Sequence, residues 1–203
     1  LLDNALDAGA DRIEVEVAGD GTDRIRVVDD GRGMSAEEAT LAVERHTTSK
    51  LPDGDLDAVE TLGFRGEALA SVADVATLSI TTNDGGPRGT RVRVGDERRD
   101  PDGAVVETVG RARGTTVEVR DLFADRPARR ESLPEPATEF GRISDRIASY
   151  ALCHPGVAVS LAHDGRRTFA TPGSGDVADA ALAVYGRDVA SESTTLAAET
   201  RVP

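Results

Sequence analysis

The chain has 203 residues and a formal net charge of −13. That length suits one large domain, or one domain plus the start of another, and the charge argues against tight, sequence-independent binding to nucleic acid. No apolar run reaches the roughly 18 residues of a membrane span and no signal peptide is visible, while a single cysteine, Cys153, excludes an internal disulfide and fits a reducing compartment such as the cytoplasm.

In chain order, Leu2, Ala5 and Leu6 recur at helical spacing, and Gly9 stands where a glycine ends a helix. The chain starts inside this pattern at Leu1 and ends at Pro203 with no closing element, as a piece cut at both ends would. Asn4 falls inside the helix, where Asn is mildly unfavourable. Either it is a surface residue, or its amide oxygen is a hard donor for Mg2+ beside phosphates. Residues 11–17 alternate polar and apolar through Ile13, Val15 and Val17, the pattern of a half-buried strand. Asp20-Gly21 is a turn, and 25–28 is the second strand of a hairpin.

Next comes Asp29-Asp30-Gly31-Arg32-Gly33-Met34, a carboxylate at a strand end followed by two glycines. Asp29 can accept a hydrogen bond from an exocyclic amine, and Gly31 and Gly33 remove side chains that would block the approach of a flat ligand. An ordinary Asp-Gly turn is the competing explanation. Ser35 and Glu38 make a capping box that opens a helix over 36–45. His46-Thr47-Thr48-Ser49-Lys50 is polar and carries the only lysine, either by chance or because a phosphate wants a compact point charge there. Gly63-Phe64-Arg65-Gly66 leads directly into a helix. Its amides, with those of the helix start, make an anion site, or the stretch is a plain loop.

Strands follow over 76–82 and 90–94 around a turn at 83–86, then a polar hairpin, then a strand over 114–119. Residues 121–130 read as a loop. Its Arg126, Arg129 and Arg130 are either a basic patch or partners for the abundant carboxylates. A long amphipathic helix over 138–152 puts Phe140, Ile143, Ile147, Tyr150 and Ala151 on one face, and Cys153 at its end reads as a buried structural cysteine. Strands at 157–162 and 167–171 form a hairpin, 172–175 is linker-like, and a helix covers 176–185.

Of 24 basic residues, Lys50 alone is lysine, and aromatics make up only 3%. This acid-rich, lysine-poor balance looks like adaptation to a high-salt cytoplasm, where screening shrinks the Debye length to roughly 3 Å at 1 M. A GC-rich genome that favours Arg over Lys is the alternative.

Four signatures stand in fixed order: LLDNALDAGA, VVDDGRGM, HTTSK with LGFRGEALAS, and GTTVEVRDLFADRPARR. Together they resemble the MutL family of DNA mismatch repair proteins, whose ATPase domain is shared with DNA gyrase, Hsp90 and histidine kinases. The likeness runs from Leu1 to about Thr171. GFRGEALAS and LFxxxPARR are specific to the family, whereas Asp-x-Gly-x-Gly is common to the superfamily.

The resemblance implies an α/β (α+β) two-layer sandwich, with a mixed, mostly antiparallel sheet and helices on one face. It implies an ATPase domain over 1–172, and a linker with the beginning of a second, ribosomal-S5-like domain over 173–203. The cofactors implied are ATP and Mg2+. Asn4 would bind the metal, and Asp29 the adenine amino group, with Gly31, Gly33 and Met34 lining the base. Thr115 would support the adenine contact through water. Thr48, Ser49 and Lys50 would lie in a lid, and Gly63, Phe64, Arg65, Gly66, Glu67, Ala68 and Leu69 would offer amides to the phosphates.

The activity implied is slow ATP hydrolysis in a nucleotide-switched dimeric clamp. Its partners would be a MutS-like mismatch recognition protein, a second copy of the chain and, weakly, DNA, with no membrane. A gyrase-type ATPase and a non-hydrolysing interaction module are the alternatives. Two neighbours depart from the family's usual pattern: Asp3 precedes Asn4 where a Glu is usual, and Asp30 follows Asp29 where an Asn is usual. The family's general base is a Glu that would stand one residue before Leu1, so no catalytic residue for water activation is assigned within the chain.

Overall fold

The computed structural model describes residues 1–43, 68–95 and 104–192. Among the described residues, eight strands form one sheet in the order β5-β4-β3-β6-β2-β1-β7-β8. They are β1 (Arg12–Ala18), β2 (Arg24–Asp29), β3 (Thr77–Asn83), β4 (Gly89–Val94), β5 (Val105–Val109), β6 (Gly114–Arg120), β7 (Ala158–His163) and β8 (Arg166–Ala170). Only β1 and β7 pair in parallel; every other neighbouring pair is antiparallel. The mixed, mostly antiparallel sheet expected from the sequence is the one observed.

Strand register explains why one face is dry. Phe169, Leu161, Val15, Val27, Val117, Ile80 and Val92 lie in one row across seven strands, each paired with the next. All seven are buried. Because side chains alternate along a strand, the residues between them fall on the other face, where Glu16, Arg26 and Glu118 also pair in a row. An antiparallel sheet covered on one side reads in this way.

The helices close the dry face in two groups. α1 (Leu2–Asp7) and α5 (Pro136–Cys153) cover the β1, β2, β7 and β8 side, through Ala5, Ile147, Ala148 and Ala151. α2 (Ala36–Leu41) and α3 (Ala68–Ala73) cover β3, β4 and β6, through Ala39 and Leu69. α1 ends in a Schellman motif: Gly9 N–H donates to Leu6 O and Ala10 N–H to Ala5 O, with Gly9 at φ +68°. α2 opens on the expected capping box, with Ser35 Oγ accepting from Glu38 N–H and Ser35 N–H donating to Glu38 Oε2.

The structure differs from the sequence reading in four places. β5 was expected to be part of a polar hairpin; it is an edge strand with one neighbour, and its half-exposed alternation is a weak signal. Residues 127–131 form a short helix, α4 (Pro127–Glu131), started by Pro127 at a position where a missing N–H costs nothing. The last helix, α6 (Val177–Glu192), does not stop at Tyr185 but kinks there, with Gly186 at φ +80°, and continues. Cys153 is exposed rather than buried: α5 turns Ile147, Ala148 and Ala151 inward, and its last residue points away from that face.

Candidate functional site at the ends of β2, β6 and β3

At one end of the sheet the dry face stops being apolar. Two residues beyond Val27, Val117 and Ile80 on their own strands stand Asp29, Thr115 and Thr82, again paired in a row. Their exposures are 8%, 7% and 0%. A buried polar group must find a partner, and these three find one another and the backbone of Gly31, Met34 and Gly114. Asp29 Oδ1 accepts from Gly31 N–H at 3.0 Å and from Thr115 N–H at 3.3 Å. Thr82 Oγ1 accepts from Met34 N–H at 2.9 Å, lies 3.1 Å from Thr115 Oγ1, and donates to Gly114 O at 3.2 Å.

Asp29 Oδ2 takes no hydrogen bond among the described residues. Burial pushes the Asp29 carboxyl above the usual carboxylate range, against the two backbone N–H groups and the nearby Arg111 charge, which pull it down. A half-satisfied, desolvated carboxylate is a poor structural element and a good acceptor for an incoming N–H donor.

The glycines of the loop have a reason beyond ligand access. A Cβ on Gly31 would lie 2.8 Å from Ala8 Cβ and 2.9 Å from Ala8 O, so the loop can rest on the end of α1 only without one. Arg32 N–H completes that contact by donating to Ala8 O at 2.9 Å. Gly33, at φ +71°, passes so close to the backbone of Asn83 that a Cβ would overlap its carbonyl. Asp30 points elsewhere: its Oδ1 accepts from Asp11 N–H at 2.9 Å and Arg12 N–H at 2.8 Å, tying the loop to the start of β1.

Asn4 lies on α1, one turn before Ala8, half-buried and with no hydrogen bond from its side chain among the described residues. Asp3 is engaged instead: Tyr150 Oη donates to its Oδ1 at 2.6 Å, and that bond raises the Tyr150 hydroxyl's pKa. Met34 is half-buried against the second core cluster. Ala68 and Leu69 open α3, with Ala68 exposed and the Leu69 side chain buried in that same cluster. Thr48, Ser49, Lys50, Gly63, Phe64, Arg65, Gly66 and Glu67 lie outside the described residues.

Thr82, Gly114, Asn83 and Arg111 were not singled out by the sequence. Asn83 Nδ2 donates to Arg111 O at 2.6 Å and to Gly86 O at 3.0 Å, closing the turn after β3. A signal for Thr82 did exist: it continues the inward alternation of Leu78 and Ile80, and a hydroxyl at an inward position needs a partner. The three arginines of the 121–130 segment are exposed, and each has a different partner. Arg126 donates to Asp74 O, Arg129 stacks over the Phe123 ring, and Arg130 pairs with Asp23 at 3.8 Å.

Comparison with known proteins places this geometry. Residues 1–108 match the family of histidine kinase-, DNA gyrase B- and HSP90-like ATPases. The DNA mismatch repair protein MutL of Halobacterium salinarum is 52% identical over 202 residues, covering 98% of this chain and 30% of that protein. MutL of Halalkalibacterium halodurans is 42% identical over 204 residues, covering 98% of this chain and 31% of its own length. The chain thus spans about a third of the curated relatives it matches. Among solved structures, the Aquifex aeolicus MutL ATPase domain complexed with ADP superposes with a TM-score of 0.72 at 28% identity, over 91% of this chain and 65% of that one. The family match, the relatives and the shared fold agree: the chain belongs to the histidine kinase-, DNA gyrase B- and HSP90-like ATPases, and among them to the MutL proteins.

Proposed function

We propose that this chain binds ATP at the ends of β2, β6 and β3, and that it does so as the ATPase part of a DNA mismatch repair protein. The observation that carries the reading is Asp29. It is a carboxylate at 8% exposure with one oxygen satisfied by two backbone amides and the other left for a donor. The adenine amino group is such a donor. The ADP held by the Aquifex aeolicus relative supports the same choice of ligand. Met34 and the backbone of Gly31 and Gly33 would flank the base, and Thr115 would hold Asp29 in place through its N–H.

Asn4 fits a divalent metal by the chemistry of its amide oxygen, a hard donor whose side chain makes no competing hydrogen bond among the described residues. No group of three or more His, Cys, Asp or Glu that could hold a metal exists among the described residues. Mg2+, when bound beside the phosphates, would neutralise their charge and keep most of its other ligands from nucleotide and water. Hydrolysis needs a general base as well. The resemblance puts a Glu immediately before Leu1, four residues ahead of Asn4 and therefore on the same helix face. Asp3 is ill placed for that role, about 100° around the helix from Asn4 and bonded to Tyr150.

At the level of the whole protein, we propose a nucleotide-switched clamp. ATP would pair two such domains and license contact with a MutS-like mismatch recognition protein, and slow turnover would reset it. The acid-rich composition would suit a salty cytoplasm. The test is ATP turnover by the full-length protein, with and without replacement of the Glu before Leu1 by Ala. Slow hydrolysis that the replacement abolishes, with ATP still bound, is the expected result; turnover unaffected by it would reject the assignment.

A further inference from the structure

We propose that Arg111 is a positioning residue for the Asp29 carboxylate, holding it at the angle that selects a 6-amino purine. The inference rests on the adenine-site reading above and goes beyond it. Arg111 sits in the connection between β5 and β6, far from Asp29 in sequence. Its Nε donates to Gly114 O at 3.1 Å and its Nη2 to Asp29 O at 3.3 Å. One planar guanidinium thereby spans the end of β2 and the start of β6, which a single ammonium cannot do with the same geometry.

Those two carbonyls flank the groups that matter. Gly114 precedes Thr115, whose N–H donates to Asp29 Oδ1. Gly114 itself lies at φ +117°, so close to the Asp29 carbonyl that a Cβ there would overlap it. Arg111 is held in turn by Asn83, which donates to its carbonyl at 2.6 Å. Among the described residues, its side-chain hydrogen bonds go to main-chain carbonyls and not to carboxylates, so an ordinary surface ion pair does not account for it. It is also half-buried, and its positive charge opposes the burial that pushes Asp29 toward its protonated form.

The experiment compares two nucleotides in the full-length protein by calorimetry: ATP, and purine riboside triphosphate, which lacks the 6-amino group. The wild type should prefer ATP by about tenfold or more, the worth of a charge-assisted hydrogen bond. R111Q should cut that preference to roughly threefold or less, while its affinity for purine riboside triphosphate stays at the wild-type level. R111K, with charge but no fork, should fall between. A wild type that does not distinguish the two nucleotides would remove the adenine-site reading itself. A wild type that does, with R111Q preferring ATP by the same factor, would overturn the role of Arg111 alone. Equal weakening of both nucleotides in R111Q and R111K would also overturn it, since the residue would then support the fold and not the carboxylate.

Discussion

Asp29, Thr115 and Thr82 stand on the inner face of the sheet at the ends of β2, β6 and β3, at 8%, 7% and 0% exposure. On the outer face of the same sheet stand Glu16, Arg26 and Glu118, with side chains 39%, 31% and 23% exposed. Both sets are polar and both are hydrogen-bonded, but to different things. The inner residues bond main-chain groups from the β2–α2 loop and from one another's strands. The outer ones bond other side chains, as Arg26 bonds Glu16 and Arg120 bonds Glu118. Exposed pairs of that kind are worth about 0–1 kcal/mol, whereas a buried group that loses its partner costs about 1–3 kcal/mol. The polar groups that organise this molecule are therefore the few at the rim of the site, and the many charges of the open face contribute mainly to solubility.

The sharpest way to break this contrast is Gly33→Ala. Its φ of +71° and its approach to the Asn83 backbone leave no room for a methyl group. Backbone strain alone is about 1–3 kcal/mol, so thermal melting should drop by roughly 2–12 °C and ATP binding should weaken with it. An unchanged melting temperature would mean the loop is not seated on β3 as described. Next is Thr82→Val, which keeps the shape but strands Met34 N–H and Thr115 Oγ1. Denaturant unfolding should show a loss of about 1–3 kcal/mol, and Thr82→Ser, which keeps the hydroxyl, should recover most of it.

Much of this was legible beforehand. The strands announced themselves by alternation, and α5 by its apolar stripe. Asp29 did not stand out by itself, because an ordinary Asp-Gly turn explains its motif as well; the four signatures in fixed order are what singled it out. Arg111 was not legible, and of Thr82 only its inward position was, from the alternation with Leu78 and Ile80; the partners of both were hidden for one physical reason. Thr82 acquires its role from a residue 33 positions away and Arg111 from one 82 positions away, and only strand register brings them together. Cys153 was misjudged because its distance along α5 from Ala151 turns it off the buried face, a rotation that an apolar count at the helix end does not see.

Smaller effects sharpen the comparison further. Asp30→Ala should cost about 1 kcal/mol, since its carboxylate accepts two backbone bonds in an exposed setting. Asp30→Asn, whose amide oxygen can accept both, should be close to wild type in a melting experiment. On the open face, Glu16→Gln removes the partner of Arg24 and Arg26 yet should change stability by no more than about 0.5 kcal/mol. A loss from Glu16→Gln larger than that from Thr82→Val would invert the account.

The central claim is that Asp29 is kept buried to receive a nucleotide, and calorimetric ATP titration of wild type and Asp29→Ala tests it most directly. The contact proposed for Asp29 would be a charge-assisted hydrogen bond, so the variant should bind at least about tenfold more weakly at neutral pH. The pH dependence carries the same sign. Because burial raises the folded-state pKa of Asp29, the folded protein holds that proton more tightly than the unfolded chain. As pH falls through this window, the stability burden of the buried charge is relieved while the carboxylate is lost as an acceptor. The advantage of wild type over Asp29→Ala should therefore shrink at a pH above the ordinary carboxylate range. Equal ATP affinity in the two proteins at neutral pH would contradict the account.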